Sequence, residues 1–148
     1  MVILLTYLFG ALCISFLCSI LEAVLMSTPL SFITAKEEEG VKSATLFKKL
    51  KLDPERPLEA ILTLNTIAHT VGAAGVGQKG SELFGSDWFG LISAIMTLLI
   101  LVLSEIIPKV IGTSYWRNLT GFTAYTIRFL IVILYPIVLM LDLISKIF

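Results

Sequence analysis

Long runs of hydrophobic residues alternate with short polar segments along this chain. Three of the runs, at about residues 2–26, 58–77 and 88–107, are close to the roughly 20 residues that an α-helix needs to cross a bilayer. A helix satisfies its backbone hydrogen bonds within one segment, which an isolated strand in lipid cannot do. The pattern therefore predicts an all-α integral membrane fold, a single transmembrane domain over 1–148 with three transmembrane helices.

The polar segment between the first two runs contains apolar residues at roughly helical spacing, over about 34–52. This spacing indicates an amphipathic helix that lies at the membrane surface on the cytoplasmic side. A solvated helical loop is an equally good interpretation of the same pattern.

The last segment, 118–148, is less simple. Only thirteen uncharged residues separate Arg128 from Asp142, and Pro136 interrupts them. Because apolar runs of about 10–14 residues are typical of re-entrant or interfacial elements, we predict a kinked, membrane-associated helix on the cytoplasmic side. A tilted fourth span over 119–141 is the alternative.

The composition and charge of the chain agree with a protein that is surrounded by lipid. Hydrophobic residues make up 57% of the chain and charged residues only 15%, whereas soluble domains carry about 25% charged residues. The formal net charge is zero, so there is no basic surplus of the kind that binds nucleic acid.

The distribution of basic residues predicts the orientation in the membrane. Segment 34–57 holds six Lys and Arg residues, and segment 79–87 holds one. The positive-inside rule places the first of these loops in the cytoplasm. We therefore expect a multi-pass protein of the cell membrane with its N-terminus outside and its C-terminus in the cytoplasm.

Several polar residues lie inside the predicted spans, where lipid would disfavour them. In the first span, Ser15, Ser19 and Glu22 fall on one helical stripe. An ionisable group within a span costs about 2.5–3.5 kcal/mol on insertion scales and usually faces the bundle interior. Glu22 has a simpler interpretation, a solvated position near the cytoplasmic headgroups, because it is close to the end of the span.

The second span carries Asn65 and His69 on the same face as Gly72. The amide oxygen of Asn65 could ligate a cation or bond to a neighbouring helix. For His69, an interhelical hydrogen bond is the more ordinary role, and a ligand role is the alternative.

The third span ends in the sequence Ser104-Glu105-Ile106-Ile107-Pro108. Proline cannot donate to the carbonyl four residues before it, so Pro108 should kink the helix and leave the Ser104 carbonyl free beside the Glu105 carboxylate. Gly112 would let the backbone approach closely. Such hard oxygen donors suit Mg²⁺, although an ordinary helix end with an interfacial Glu105 would have the same sequence. Catalytic motifs are absent, so we expect no enzyme.

These residues, taken in order, resemble the transmembrane domain of the CNNM/CorC (cyclin M) family. The resemblance rests on three motifs that together cover nearly the whole chain: Ser19-Ile20-Leu21-Glu22 with Ala23 and Ser27, Leu64-Asn65-Thr66, and Glu105-Ile106-Ile107-Pro108-Lys109 with Gly112. It implies three spans with a cytoplasmic-side helical belt, assembled as a homodimer. It also implies Mg²⁺ export, coupled to the entry of Na⁺.

By the same resemblance, the cation site falls on Ser19, Asn65, Glu105 and the backbone around Gly112. Many relatives have a second Asn four residues after the first, where this chain has His69. Relatives also continue into cytosolic CBS modules, which lie outside these 148 residues. A membrane anchor that senses Mg²⁺ without transporting it is the alternative function.

Overall fold

The computed structural model describes residues 2–147, and it is almost entirely helical, as the sequence predicts. The helices are α1 (Val2–Ser27), α2 (Leu30–Glu38), α3 (Lys42–Leu52), α4 (Glu55–Phe84), α5 (Phe89–Leu101), α6 (Ile107–Ser114), α7 (Trp116–Ile133) and α8 (Tyr135–Ile147). A 3₁₀ turn, Ser86–Trp88, precedes α5, and a π-helical turn, Val102–Ile106, joins α5 to α6.

Three helical segments are long and apolar enough to cross a membrane: Val2–Ser27, Glu55–Phe84 and Ser86–Ser114. This finding confirms an all-helical membrane protein with at least three candidate spans. Large hydrophobic side chains such as Leu62, Leu98 and Val110 are exposed on these segments. Lipid would cover them in a bilayer.

The second span is longer than predicted. Residues 78–84, which lie beyond the predicted end of this span at about residue 77, continue α4 as far as Phe84. Lys79 and Glu82 form an ion pair across one helical turn, with 3.2 Å between Nζ and Oε2, so these polar residues are compatible with a helix. The helix ends at Gly85, whose φ of +95° is strained for residues with a side chain.

The third span also differs from its prediction, because the helix does not end at Pro108. The Ile107 amide donates to the Val102 carbonyl, five residues back, and this bond closes the π-helical turn. Pro108 then occupies the first turn of α6, where its missing amide hydrogen is tolerated. The proline therefore accompanies a local change of helix type and leaves the span continuous to Ser114.

The predicted amphipathic helix over 34–52 is two helices in the structure. Gly40 separates α2 from α3 and has a φ of +87°. The Gly40 amide donates to the Glu37 carbonyl, and the Val41 amide donates to the Lys36 carbonyl. This is the Schellman arrangement that terminates a helix at glycine.

The two short helices pack beside the end of α1. Phe47 of α3 and Ile33 of α2 are almost fully buried in a core that also includes Leu25 of α1 and Ile127 of α7. Lys51 donates from Nζ to the Leu25 carbonyl at 2.9 Å, and partial burial lowers the pKa of Lys51 below its ordinary value. The hairpin is therefore anchored to the transmembrane bundle and is not a free surface loop.

The last segment bends sharply between α7 and α8. The two helices meet at 83° across Leu134, and together they are long and apolar enough to form a broken span or a re-entrant loop. Pro136 lies in the first turn of α8, where proline is tolerated, so the break comes two residues before the proline. A kinked element is what the sequence predicts, and the fourth span stays an alternative. Phe148 lies outside the described residues.

Small residues bring α1 and α4 into close contact. A Cβ added at Gly72 would collide with the Ala11 Cβ, and one added at Gly75 would collide with the ring of Tyr7. Lipid supplies little hydrophobic driving force between helices, so such close approach contributes much of their association.

We predict that Gly72→Ala destabilises the protein, because the new methyl group collides with Ala11 on the facing helix. Overpacking of this kind costs about 1–3 kcal/mol. Thermal unfolding in detergent should show a lower midpoint for this variant.

Gly10→Ala is the matched control, since a Cβ at Gly10 meets nothing within 4 Å. Its midpoint should be unchanged or higher, because alanine favours helix. Equal midpoints for Gly72→Ala and wild type would contradict the packing of α1 on α4.

Candidate cation site

Two serines of α1 lie at the centre of the bundle. Ser15 is fully buried and Ser19 is 2% exposed, and the two side chains are one helical turn apart. Helix α1 packs against α4 and also against the π-helical turn and α6. The serines therefore face the polar residues of both other spans.

The Ser104 carbonyl is the backbone acceptor that Pro108 was predicted to release. It is released from the helix, but it is not free: Ser19 donates from Oγ to this carbonyl at 2.7 Å, and the Ser15 Oγ lies 3.5 Å from it. The Ser104 hydroxyl itself donates to the Ile100 carbonyl at 2.6 Å. A side chain of α1 thus replaces the hydrogen bond that proline removes from the third span.

His69 links α4 to both other spans. Its Nε2 lies 2.7 Å from the Ser15 Oγ and 3.6 Å from the Glu105 Oε1. The side chains of His69 and Glu105 are 27% and 32% exposed, so both are mostly enclosed. The interhelical hydrogen bond expected for His69 is present. The same imidazole also lies near the Glu105 carboxylate, so His69 approaches polar groups of both other spans.

Asn65 lies one turn before His69 on α4, on the same face of the helix. Its Oδ1 is buried and accepts no hydrogen bond from any of residues 2–147. A buried acceptor without a partner costs about 1–3 kcal/mol. A hydrogen-bond donor or a cation next to this oxygen would remove that cost.

Two of the predicted site residues have other roles in the structure. A Cβ at Gly112 would lie 2.7 Å from the Ala23 Cβ and 3.1 Å from the Ile20 carbonyl oxygen, so this glycine permits close packing of α6 on α1. Glu22 lies 3.7 Å from the Lys109 Nζ, and both side chains are roughly half exposed. The solvated interpretation of Glu22 is the one that the structure favours.

The structure also contains an acidic cluster that sequence reasoning missed. Carboxylate oxygens of Glu55, Glu59 and Asp142 lie within 4.8 Å of one another. Arg56 and Lys146 lie 3.6 and 3.7 Å from Asp142 and offset much of this charge. Glu55 and Glu59 are a visible i, i+4 pair, but Asp142 reaches them only through the bend before α8.

The chain is thus a helical membrane domain in which polar side chains from three candidate spans meet inside the bundle. Residues 6–148 match the family model described as the cyclin M transmembrane N-terminal domain. The chain belongs to this family, as its motifs indicated.

Individual relatives agree with this assignment. The UPF0053 protein sll1254 of Synechocystis is 34% identical over 88% of this chain and 38% of its own length. The UPF0053 inner membrane protein YfjD of Escherichia coli is 24% identical over 74% of this chain and 26% of its own length. The chain therefore spans well under half the length of these curated relatives.

We predict that Ser19→Ala destabilises the bundle, because it leaves the buried Ser104 carbonyl without its short hydrogen bond. The expected loss is about 1–3 kcal/mol in the free energy of unfolding. Unfolding by denaturant in detergent would measure it.

Thr97→Ala is the control, since Thr97 donates only to the Ser93 carbonyl of its own helix at an exposed position. That variant should unfold like the wild type. If Ser19→Ala were equally neutral, the Ser19–Ser104 bond would not be a structural requirement.

Proposed function

We propose that this chain is the transport domain of a divalent-cation transporter, with Mg²⁺ as a cargo. The observation that carries the proposal is the buried, unpartnered Oδ1 of Asn65, on the same helix face as His69. His69 in turn lies beside Glu105 and Ser15. A cation held between these helices would satisfy the amide oxygen and the carboxylate together.

The oxygen donors suit Mg²⁺. Asn65 supplies an amide oxygen and Glu105 a negative charge, and both are hard ligands. Ser19 donates its proton to the Ser104 carbonyl, which leaves the lone pairs of its Oγ available for a cation. The π-helical turn that holds Glu105 adds support, because π-helical turns occur often at functional sites.

Family membership supports the finer features of the proposal. They are Mg²⁺ export coupled to Na⁺ entry, a homodimeric assembly in the lipid bilayer, and a cytosolic regulatory part beyond this chain. The chain acts as a transporter and not as an enzyme.

A second candidate function is Mg²⁺ sensing without transport. Helix α4 carries Asn65 and His69 in the bundle, and its first turns carry Glu55 and Glu59, which contact α8 through the acidic cluster. A cation that shifted α4 would therefore also shift α8. A sensor would bind the cation but move none across the membrane.

The test is Mg²⁺ flux in proteoliposomes. Wild-type protein should move Mg²⁺, and Glu105→Gln should reduce flux to the level of empty liposomes, because the variant removes the charge that compensates a dehydrated cation. Glu82→Gln is the matched control, since Glu82 pairs with Lys79 at the far end of α4, and its flux should be normal.

Two results would contradict transport through this site. Normal flux in Glu105→Gln would show that the Glu105 carboxylate is not a required ligand of the transported cation. Binding of Mg²⁺ by wild-type protein without any flux would favour the sensor.

We also propose that the α2–α3 hairpin faces the cytoplasm, because it and the residues up to 57 hold six basic residues. A cysteine at the exposed Lys42 should be labelled by a membrane-impermeant thiol reagent only after cells are permeabilised. A cysteine at Ser86, at the other end of α4, should be labelled in intact cells. The reverse labelling pattern would invert the topology.

A further inference from the structure

We propose that His69 is a ligand of the cation in this site and that its imidazole shifts the preference of the site from Mg²⁺ towards Mn²⁺, Co²⁺ and Zn²⁺. This inference rests on the proposed function, since it concerns the same cation. It adds to the proposed function the class of divalent cation that this chain prefers.

The geometry of His69 and Glu105 fits two ligands of one ion. Ligands that bind one ion at about 2.0–2.2 Å lie roughly 3.0–3.5 Å apart. The Nε2 of His69 and the Oε1 of Glu105 are 3.6 Å apart, so a small side-chain adjustment would bring both into one coordination sphere. The Ser15 Oγ, at 2.7 Å from the same Nε2, is the nearest neutral oxygen.

Ser15 can release His69 for this role. Its hydroxyl has a second acceptor within reach, the Ser104 carbonyl at 3.5 Å. When Nε2 gives its lone pair to a cation, the Ser15 hydroxyl can turn to that carbonyl and keep a hydrogen bond. The buried serine is then never left without a partner, which removes the main cost of freeing the imidazole.

The donor chemistry sets the expected preference. Mg²⁺ binds oxygen ligands and releases its waters reluctantly. Imidazole nitrogen suits Zn²⁺ and its neighbours, and affinity for mixed nitrogen and oxygen sites rises from Mn²⁺ through Co²⁺. A site with His69 beside Glu105 and Asn65 therefore offers transition ions one good ligand that contributes little to Mg²⁺ binding.

The experiment compares affinities for Mg²⁺, Mn²⁺ and Co²⁺ by titration calorimetry of the purified protein in detergent. His69→Asn should weaken Co²⁺ and Mn²⁺ binding by on the order of tenfold or more, while Mg²⁺ binding changes little because an amide oxygen replaces the nitrogen. Thr70→Ala is the control, since Thr70 is an exposed neighbour on the same helix, and all three affinities should be unchanged.

Electron spin echo spectroscopy of bound Mn²⁺ gives a readout that a purely structural histidine would not alter. Wild-type protein should show coupling to an imidazole nitrogen, and both His69→Asn and His69→Gln should lose it. This measurement on the wild type needs no variant to fold.

The outcomes separate this inference from the proposed function. Divalent binding that requires Glu105, without nitrogen coupling and with equal metal preference in His69→Asn and wild type, would overturn the role of His69 alone. Failure of the wild type to bind any divalent cation would overturn both proposals.

Discussion

Inside a bilayer every backbone carbonyl needs a partner within the protein, and Pro108 denies one to Ser104. The bundle solves this by placing Ser19 of α1 against the freed carbonyl at 2.7 Å. The pairing requires α1 to lie close to the third span, and Gly112 allows that approach because a Cβ there would crowd Ala23 and the Ile20 carbonyl. One missing amide hydrogen thus determines which faces of two spans meet.

The same pairing also arranges the candidate cation site. With α1 held against the π-helical turn, Ser15 comes within 2.7 Å of His69 and His69 within 3.6 Å of Glu105. Gly72 on α4 supports this arrangement from the other side, because it lets α4 approach Ala11. The serines that form hydrogen bonds between the spans therefore also line the candidate site.

The cytoplasmic-side helices, in the orientation proposed above, are coupled to the spans by polar contacts. Lys51 donates to the last turn of α1, and Asp142 of α8 meets Glu55 and Glu59 at the start of α4. Arg56 reduces the repulsion within that cluster. Helices α1 and α4, which both contribute to the candidate site, thus each have polar contacts with a helix that flanks the spans.

The sequence by itself determined the class of fold, because the length of an apolar run and its uncompensated polar residues are local properties. It also singled out Ser19, Asn65 and Glu105 as residues that lipid alone would not accommodate. Tertiary structure decided what each polar group does. Ser19 caps the Ser104 carbonyl, Glu22 pairs with Lys109, and Asp142 joins two glutamates across an 83° bend. These partners lie 83 or more residues apart along the chain, so no local pattern could reveal them.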